Sequence, residues 1–149
     1  MKAIIRDADP AEAPEIAQLI HELAQAIGET SPLTPDYVLA YLAFPGCNIL
    51  LAEIKGQIAA LLSYSIRPNL YHNEDTALIE ELVVREAWRG QGLGGLLLEA
   101  ALARFETEGC AEVSVTTLPE NEGAIRFYRA HGLVDEAVYL EKHFEDDRD

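Results

Sequence analysis

The chain has 149 residues, enough for one domain with a substantial core. Hydrophobic residues make up 49% and charged residues 25%, the balance of a soluble globular protein, and no apolar run nears the roughly 20 residues that cross a bilayer. A formal net charge of −15 repels nucleic-acid phosphate and anionic lipid, which excludes both as expected partners, and it favours a cationic molecule such as an amine. Solubility alone also accounts for such a charge.

Lys2 to Arg6 has the length and aliphatic content of a short strand, and the N-terminal stretch lacks the apolar core of a signal peptide. Asp9, Pro10 and Glu12 read as cap, first helical position and capping-box acid. Pro14 delays regular helix hydrogen bonding, and Ile16, Leu19, Ile20 and Leu23 form an apolar helix stripe. Gly28 to Pro35 is a loop, and Asp36 to Phe44 a second short helix. Asn48 to Ile54 and Gln57 to Ile66 are strands joined by the turn signal Lys55-Gly56. Pro68 to Asp75 reads as a loop. Thr76 to Val84 follows as a strand, with Leu78, Leu82 and Val84 on one face if pairing is regular. From Gly92 the period becomes helical: Gly94, Leu97, Leu98, Ala101, Leu102 and Phe105 share a stripe that Gly109 stops. Ala111 to Thr117 is a strand, Asn121 caps a helix ending at Gly132, and Leu133 to Phe144 supplies the last strand material. Glu145 to Asp149 reads as a frayed tail. This order predicts one α/β domain over residues 1–149, with a mixed, mostly antiparallel sheet and helices on its faces.

Cys47 and Cys110 form neither a disulfide framework nor a metal-ligand spacing, and suit reduced thiols in a cytoplasmic protein. His21, His131 and His143 have no ligand spacing with one another, so no metal is expected. The run Arg89-Gly90-Gln91-Gly92-Leu93-Gly94 sits between a buried strand and a helix. Glycines there let a ligand approach the main chain, and the helix start offers free N–H groups and partial positive charge to a phosphate. Arg89 and Arg85 could add charge-assisted contacts. No Gly-Lys-Ser/Thr ending follows, so the loop is not that of a nucleotide hydrolase. Gly90, Gly92 and Gly95 do fit Gly-x-Gly-x-x-Gly, but in mid-chain after a β-meander, where a dinucleotide fold would not place it. A purely structural turn is the other alternative.

The segment Leu82 to Gly94 resembles the signature of the GNAT acetyltransferase superfamily, a strand followed by Arg/Gln-x-x-Gly-x-Gly/Ala. Asn121 to Leu133 resembles that superfamily's downstream motif, and the element order matches over nearly the whole chain. The resemblance implies acetyl-CoA as co-substrate, its pyrophosphate held by the loop Arg89, Gly90, Gln91, Gly92, Leu93 and Gly94. It implies that the pantetheine arm pairs with Leu82, Val83 and Val84 where the sheet splays, and that Asn121 contacts the same arm. Spacing adds that Asn121, Ala124, Ile125 and Tyr128 lie on one helical face.

Acetyl transfer to an amine by direct attack needs a proton acceptor, a polarised carbonyl and a stabilised leaving thiolate. Tyr128 is the candidate general acid, its phenol near pKa 10 being roughly matched to a thiol. Tyr128 also occupies the superfamily's usual tyrosine position. A backbone N–H of Val83 or Val84 is the candidate oxyanion donor. Glu80 and Glu81 are the candidate acids. Alternation would send one to the cleft and one away, but a bulge, common in relatives, would change the phase. The pair resembles that of diamine acetyltransferases, which implies Glu80 as base and Glu81 as substrate contact; the reversed roles, or two solvated charges on an edge, are the alternatives. Selectivity is expected from the first-helix region and the loop Arg67 to Asp75, where Tyr71 and His72 are candidates to line the pocket, although a lone loop histidine is more often just solvent-exposed. The expected acceptor is a small cationic amine. A protein N-terminus or lysine, or a non-catalytic acyl-CoA-binding role, are the alternatives. A homodimer is permitted.

Overall fold

The computed structural model describes residues 2–144, so the tail from Glu145 to Asp149 lies outside the described residues. The chain divides into two compact units, one ending at Val115 and one beginning at Thr116.

The first unit is built on a sheet ordered β1-β2-β3-β4-β5: β1 (Ile4–Asp7), β2 (Cys47–Ile54), β3 (Gln57–Asn69), β4 (Glu74–Val84) and β5 (Glu112–Val115). Neighbours pair antiparallel as far as β4, and β5 pairs with β4 in parallel. The capping box at Asp9 and Glu12 forms as the sequence predicts, on a 3₁₀ turn Pro10–Glu12. The longer helix α1 (Ala13–Ala26) starts only after it. Helix α2 (Pro35–Ala43) begins where the Thr34 hydroxyl accepts from the Tyr37 N–H at 3.2 Å. Lys55 and Gly56 both have positive φ, 51° and 77°, the geometry of a two-residue type I′ hairpin turn.

The predicted loop Pro68 to Asp75 is shorter than expected, because Pro68 pairs with Asp75 and Asn69 with Glu74. Ile66 donates its N–H to the Gly46 carbonyl on the β2 side at 2.8 Å. Pro68, two residues on, points its nitrogen the same way, past the start of β2 at Cys47, where no donor is needed. The strand therefore tolerates proline.

One sheet face carries Leu50, Leu62, Tyr64 and Ile79, all buried, and is covered by α3 (Leu93–Thr107). The Tyr64 and Phe105 rings meet edge to face there, 4.8 Å between centroids. The predicted α3 stripe is the buried one: Leu97, Leu98, Ala101 and Phe105 face inward. The other face, with Ile49, Leu51, Leu61 and Val83, packs against Ile16 and Leu19 of α1 and Val38 of α2. Helices cover both faces, as expected.

In the second unit Asn121 caps α4 (Glu122–Ala130), its Oδ1 accepting from the Ala124 N–H at 3.1 Å. The last predicted strand is not formed: residues 133–144 belong to no ladder. Val138 and Leu140 are instead 86% and 88% exposed. Their β-propensity has no strand to pair with among the described residues, and propensity without pairing does not make a strand.

Candidate active site

Strand β4 does not run regularly. Ile79 stands opposite Tyr64 and Glu81 opposite Ser63, so Glu80 is an extra residue, a β-bulge. Leu82 and Val84 keep the face of Tyr64 and Leu62, but Leu78 pairs with Ser65 and falls on the other side. The expectation that Leu78, Leu82 and Val84 share a face is corrected by that single inserted residue. The same insertion overturns the simple alternation of the two acids. Glu80 and Glu81 both line one cavity of about 560 Å³ between α1, α2 and the strands.

Ser63, itself buried, holds the bulge together. Its hydroxyl accepts the Glu81 N–H at 3.0 Å and donates to the Glu81 carboxylate in a short hydrogen bond. This spans the ladder gap and fixes the carboxylate. Ser63→Ala should strand a buried N–H and lower stability by about 1–3 kcal/mol in denaturant unfolding. It should also raise KM for the acceptor more than it lowers kcat, because Glu81 loses its anchor.

Glu80 stays exposed at the cavity mouth, yet the surrounding walls push its pKa above the ordinary carboxylate value. The neighbouring Glu81 adds to the rise, and Arg67 opposes it. Tyr41 donates to the Tyr64 carbonyl at 2.9 Å, and burial with the nearby acids keeps its phenol protonated. Burial and the Glu80 charge likewise raise the Cys47 thiol, which disfavours its thiolate form. The sequence does not single out Tyr41 or Ser63 and marks Cys47 only as a reduced thiol; the tertiary pairing brings all three to the acids. Tyr71 and His72, expected near the pocket, are not among its lining residues. Tyr71 is 93% exposed at the β3–β4 turn and packs edge-on to His72.

Strand β5 follows β4 only from Thr76 to Ile79, so the sheet opens at the bulge. Arg85 donates its N–H to the Ala59 carbonyl at 2.9 Å, on the β3 side. Alternation turns Val83 the same way, and it turns Leu82 and Val84 toward the unpaired edge. Of the two expected oxyanion donors, Val84 rather than Val83 has its N–H free of the β3 ladder.

The loop after β4 ends at Gly92, the N-cap of α3, with φ 80°; Gly90 has φ 76°. No side chain caps this helix and no acid occupies its first turn, so its N–H groups and dipole are open to an anion. Leu93 is buried and anchors the helix start, while Gln91 and Gly92 are exposed. Gly94 sits within the first turn. Arg89 folds back, its Nε donating to the Val84 carbonyl at 3.1 Å. Arg85 is committed elsewhere, to Glu15 at 3.3 Å, Glu22 at 3.6 Å and the Ile58 carbonyl at 3.0 Å. It adds no cation to the loop.

The sequence profile of the acetyltransferase (GNAT) family matches residues 15–133. The chain belongs to that family. An L-2,4-diaminobutyric acid acetyltransferase of Nocardia farcinica is 25% identical over 122 residues, covering 74% of this chain and 61% of that protein. The chain thus spans about six-tenths of that relative's length. An aminoalkylphosphonate N-acetyltransferase of Salmonella typhimurium is 29% identical over 109 residues, covering 73% of this chain and 67% of that protein. The crystal structure of a transcriptional regulator from Bacillus halodurans C-125 superposes with a TM-score of 0.84 at 26% identity, covering 96% of this chain and 100% of that one.

On α4, Ala124, Ile125, Phe127 and Tyr128 are partly buried, while Asn121, Glu122 and Gly123 are exposed. Asn121 spends its Oδ1 on the cap. Burial raises the Tyr128 pKa, which keeps the phenol protonated at working pH. Among the described residues no group of acids, histidines and cysteines suits a metal, and no helix is long and apolar enough to cross a membrane.

Proposed function

We propose that this chain is a cytoplasmic N-acetyltransferase, a single functional domain that moves an acetyl group from acetyl-CoA to the primary amine of a small cationic metabolite. The observation that carries this is the bulge at Glu80, which turns two carboxylates into one cavity beside an unpaired strand edge. Both related acetyltransferases act, by their names, on small amines. Acetyl-CoA supplies the acyl group as a thioester, and the amine nitrogen displaces the thiol directly. The loop from Arg89 to Gly94 holds the pyrophosphate, through the backbone N–H groups of Gln91 to Gly94 at the open start of α3. The edge from Leu82 to Val84, with Asn121, holds the pantetheine arm. Glu80 takes the ammonium proton, directly or through one water, and Glu81 holds the nitrogen in line. The Val84 N–H faces the carbonyl oxygen as it gains charge. Tyr128 gives its proton to the departing sulfur and regains one when the acetylated nitrogen loses its second proton.

Thiol release from acetyl-CoA over a panel of primary amines tests the reading; CoA binding with no turnover on any amine would refute it. The likeness to the Bacillus regulator favours a second reading, a non-catalytic acyl-CoA-binding module. It expects that outcome. Tyr128→Phe should lower kcat about tenfold and leave CoA affinity unchanged. The loss is modest because a thiolate with pKa near 8.5 leaves with little help. An unchanged kcat would remove Tyr128 from its role.

A further inference from the structure

Building on that reading, we infer that the acceptor is a primary amine attached to an apolar chain or ring, and that amines bearing a carboxylate or phosphonate are rejected. The cavity beside Glu80 and Glu81 is about 560 Å³, the size of an ordinary small-molecule site. Its character comes from the spacing on α2. Tyr37 and Tyr41 lie at i and i+4 on α2 and Phe44 is its C-cap, so one side of this element lines the cavity with aromatic rings. Tyr37 and Phe44 are 66% and 65% exposed, which places them at the rim. Ile16 and Ile20 of α1 form the opposite wall.

The charges are one-sided. Among the described residues, Glu80 and Glu81 are the charged lining residues, and no lysine, arginine or histidine joins them there. Arg67, the cation felt by Glu80, is exposed and outside the lining. An ammonium entering this cavity meets two acids and an aromatic rim, which also attracts cations. A carboxylate or phosphonate on the same molecule would meet two like charges and no cation among the described lining residues, with only neutral hydroxyls to receive it. The two related acetyltransferases are named for acceptors that carry such an anion, and this cavity lacks the counter-charge they would require.

The test is a ladder of linear amines from propylamine to hexylamine, with phenethylamine, 2,4-diaminobutyrate and aminoethylphosphonate, on the full chain with acetyl-CoA. kcat/KM should rise about threefold per methylene until the cavity is filled. The anionic amines should lie about a hundredfold or more below hexylamine. Phe44→Ala should cut the phenethylamine kcat/KM about fivefold through KM. Calorimetric binding of the same amines in the presence of CoA should follow the same ladder. A flat ladder in both readouts, or a preference for an anionic amine, overturns the inference while turnover keeps the transferase reading. A rising ladder in binding without any turnover supports the cavity assignment and overturns the transferase reading.

Discussion

Glu80→Gln should lower kcat/KM for a primary amine by about two to three orders of magnitude at neutral pH, the range for loss of a general base. The demand on this residue is large because an alkylammonium has pKa near 10.4 and almost none of it is free amine at pH 7. Gln keeps the shape of the side chain and cannot accept the proton. Glu80 sits on the bulge at an open cavity mouth, so stability should be nearly unchanged. The pH profile supplies a second readout. A base works when deprotonated, so activity should fall as pH drops through the Glu80 pKa. Burial and the Glu81 charge raise that pKa, which moves the acidic limb above the range of an ordinary carboxylate. Glu81→Gln removes the like charge and should shift the limb back toward lower pH. Glu80→Gln should abolish the limb. A profile identical in all three proteins, or a full rate in Glu80→Gln, would exclude Glu80 as base.

Much of this arrangement was legible in the sequence where one residue type has one physical outcome. Lys55-Gly56 turns a hairpin, Gly92 opens α3 and the stripe from Leu97 to Phe105 is buried, because each depends only on local geometry or periodicity. The two acids were legible as a pair, and their relation to the cavity was not. A bulge is set by how β3 and β4 align around Ser63, a contact across 18 positions that leaves no periodic trace. Tyr41 and Ser63 are silent in the sequence for the same reason: each is unremarkable in its own segment and meets the acids only through the tertiary fold. Pro68 misled in the other direction, since a proline at a strand position facing open space costs no hydrogen bond. The missing last strand is also a pairing matter. Val138 and Leu140 have suitable side chains without a partner strand.

Gly92→Val should raise KM for acetyl-CoA about a hundredfold while costing only about 1–2 kcal/mol of stability, the penalty for an L-residue in the left-handed region. Beyond its own chain neighbours, a Cβ at Gly92 meets no atom of the described residues within 4 Å, so its fold-level cost comes from the φ of 80°. The larger effect falls on the ligand. A β-branched residue at φ 80° is a severe outlier, so the chain will relax and turn the first N–H groups of α3 away from a common focus. Each charge-assisted bond to a phosphate is worth about 1.5–3 kcal/mol, so misaiming one or two accounts for the hundredfold. The control is acetylpantetheine, which carries the thioester and lacks the pyrophosphate. Its KM, high in the parent protein, should be unchanged by Gly92→Val, because the unpaired edge of β4 and the acids are untouched. Equal losses on both donors would mean that Gly92 shapes the acyl site as a whole, and the anion-binding role of the α3 start would have to be abandoned.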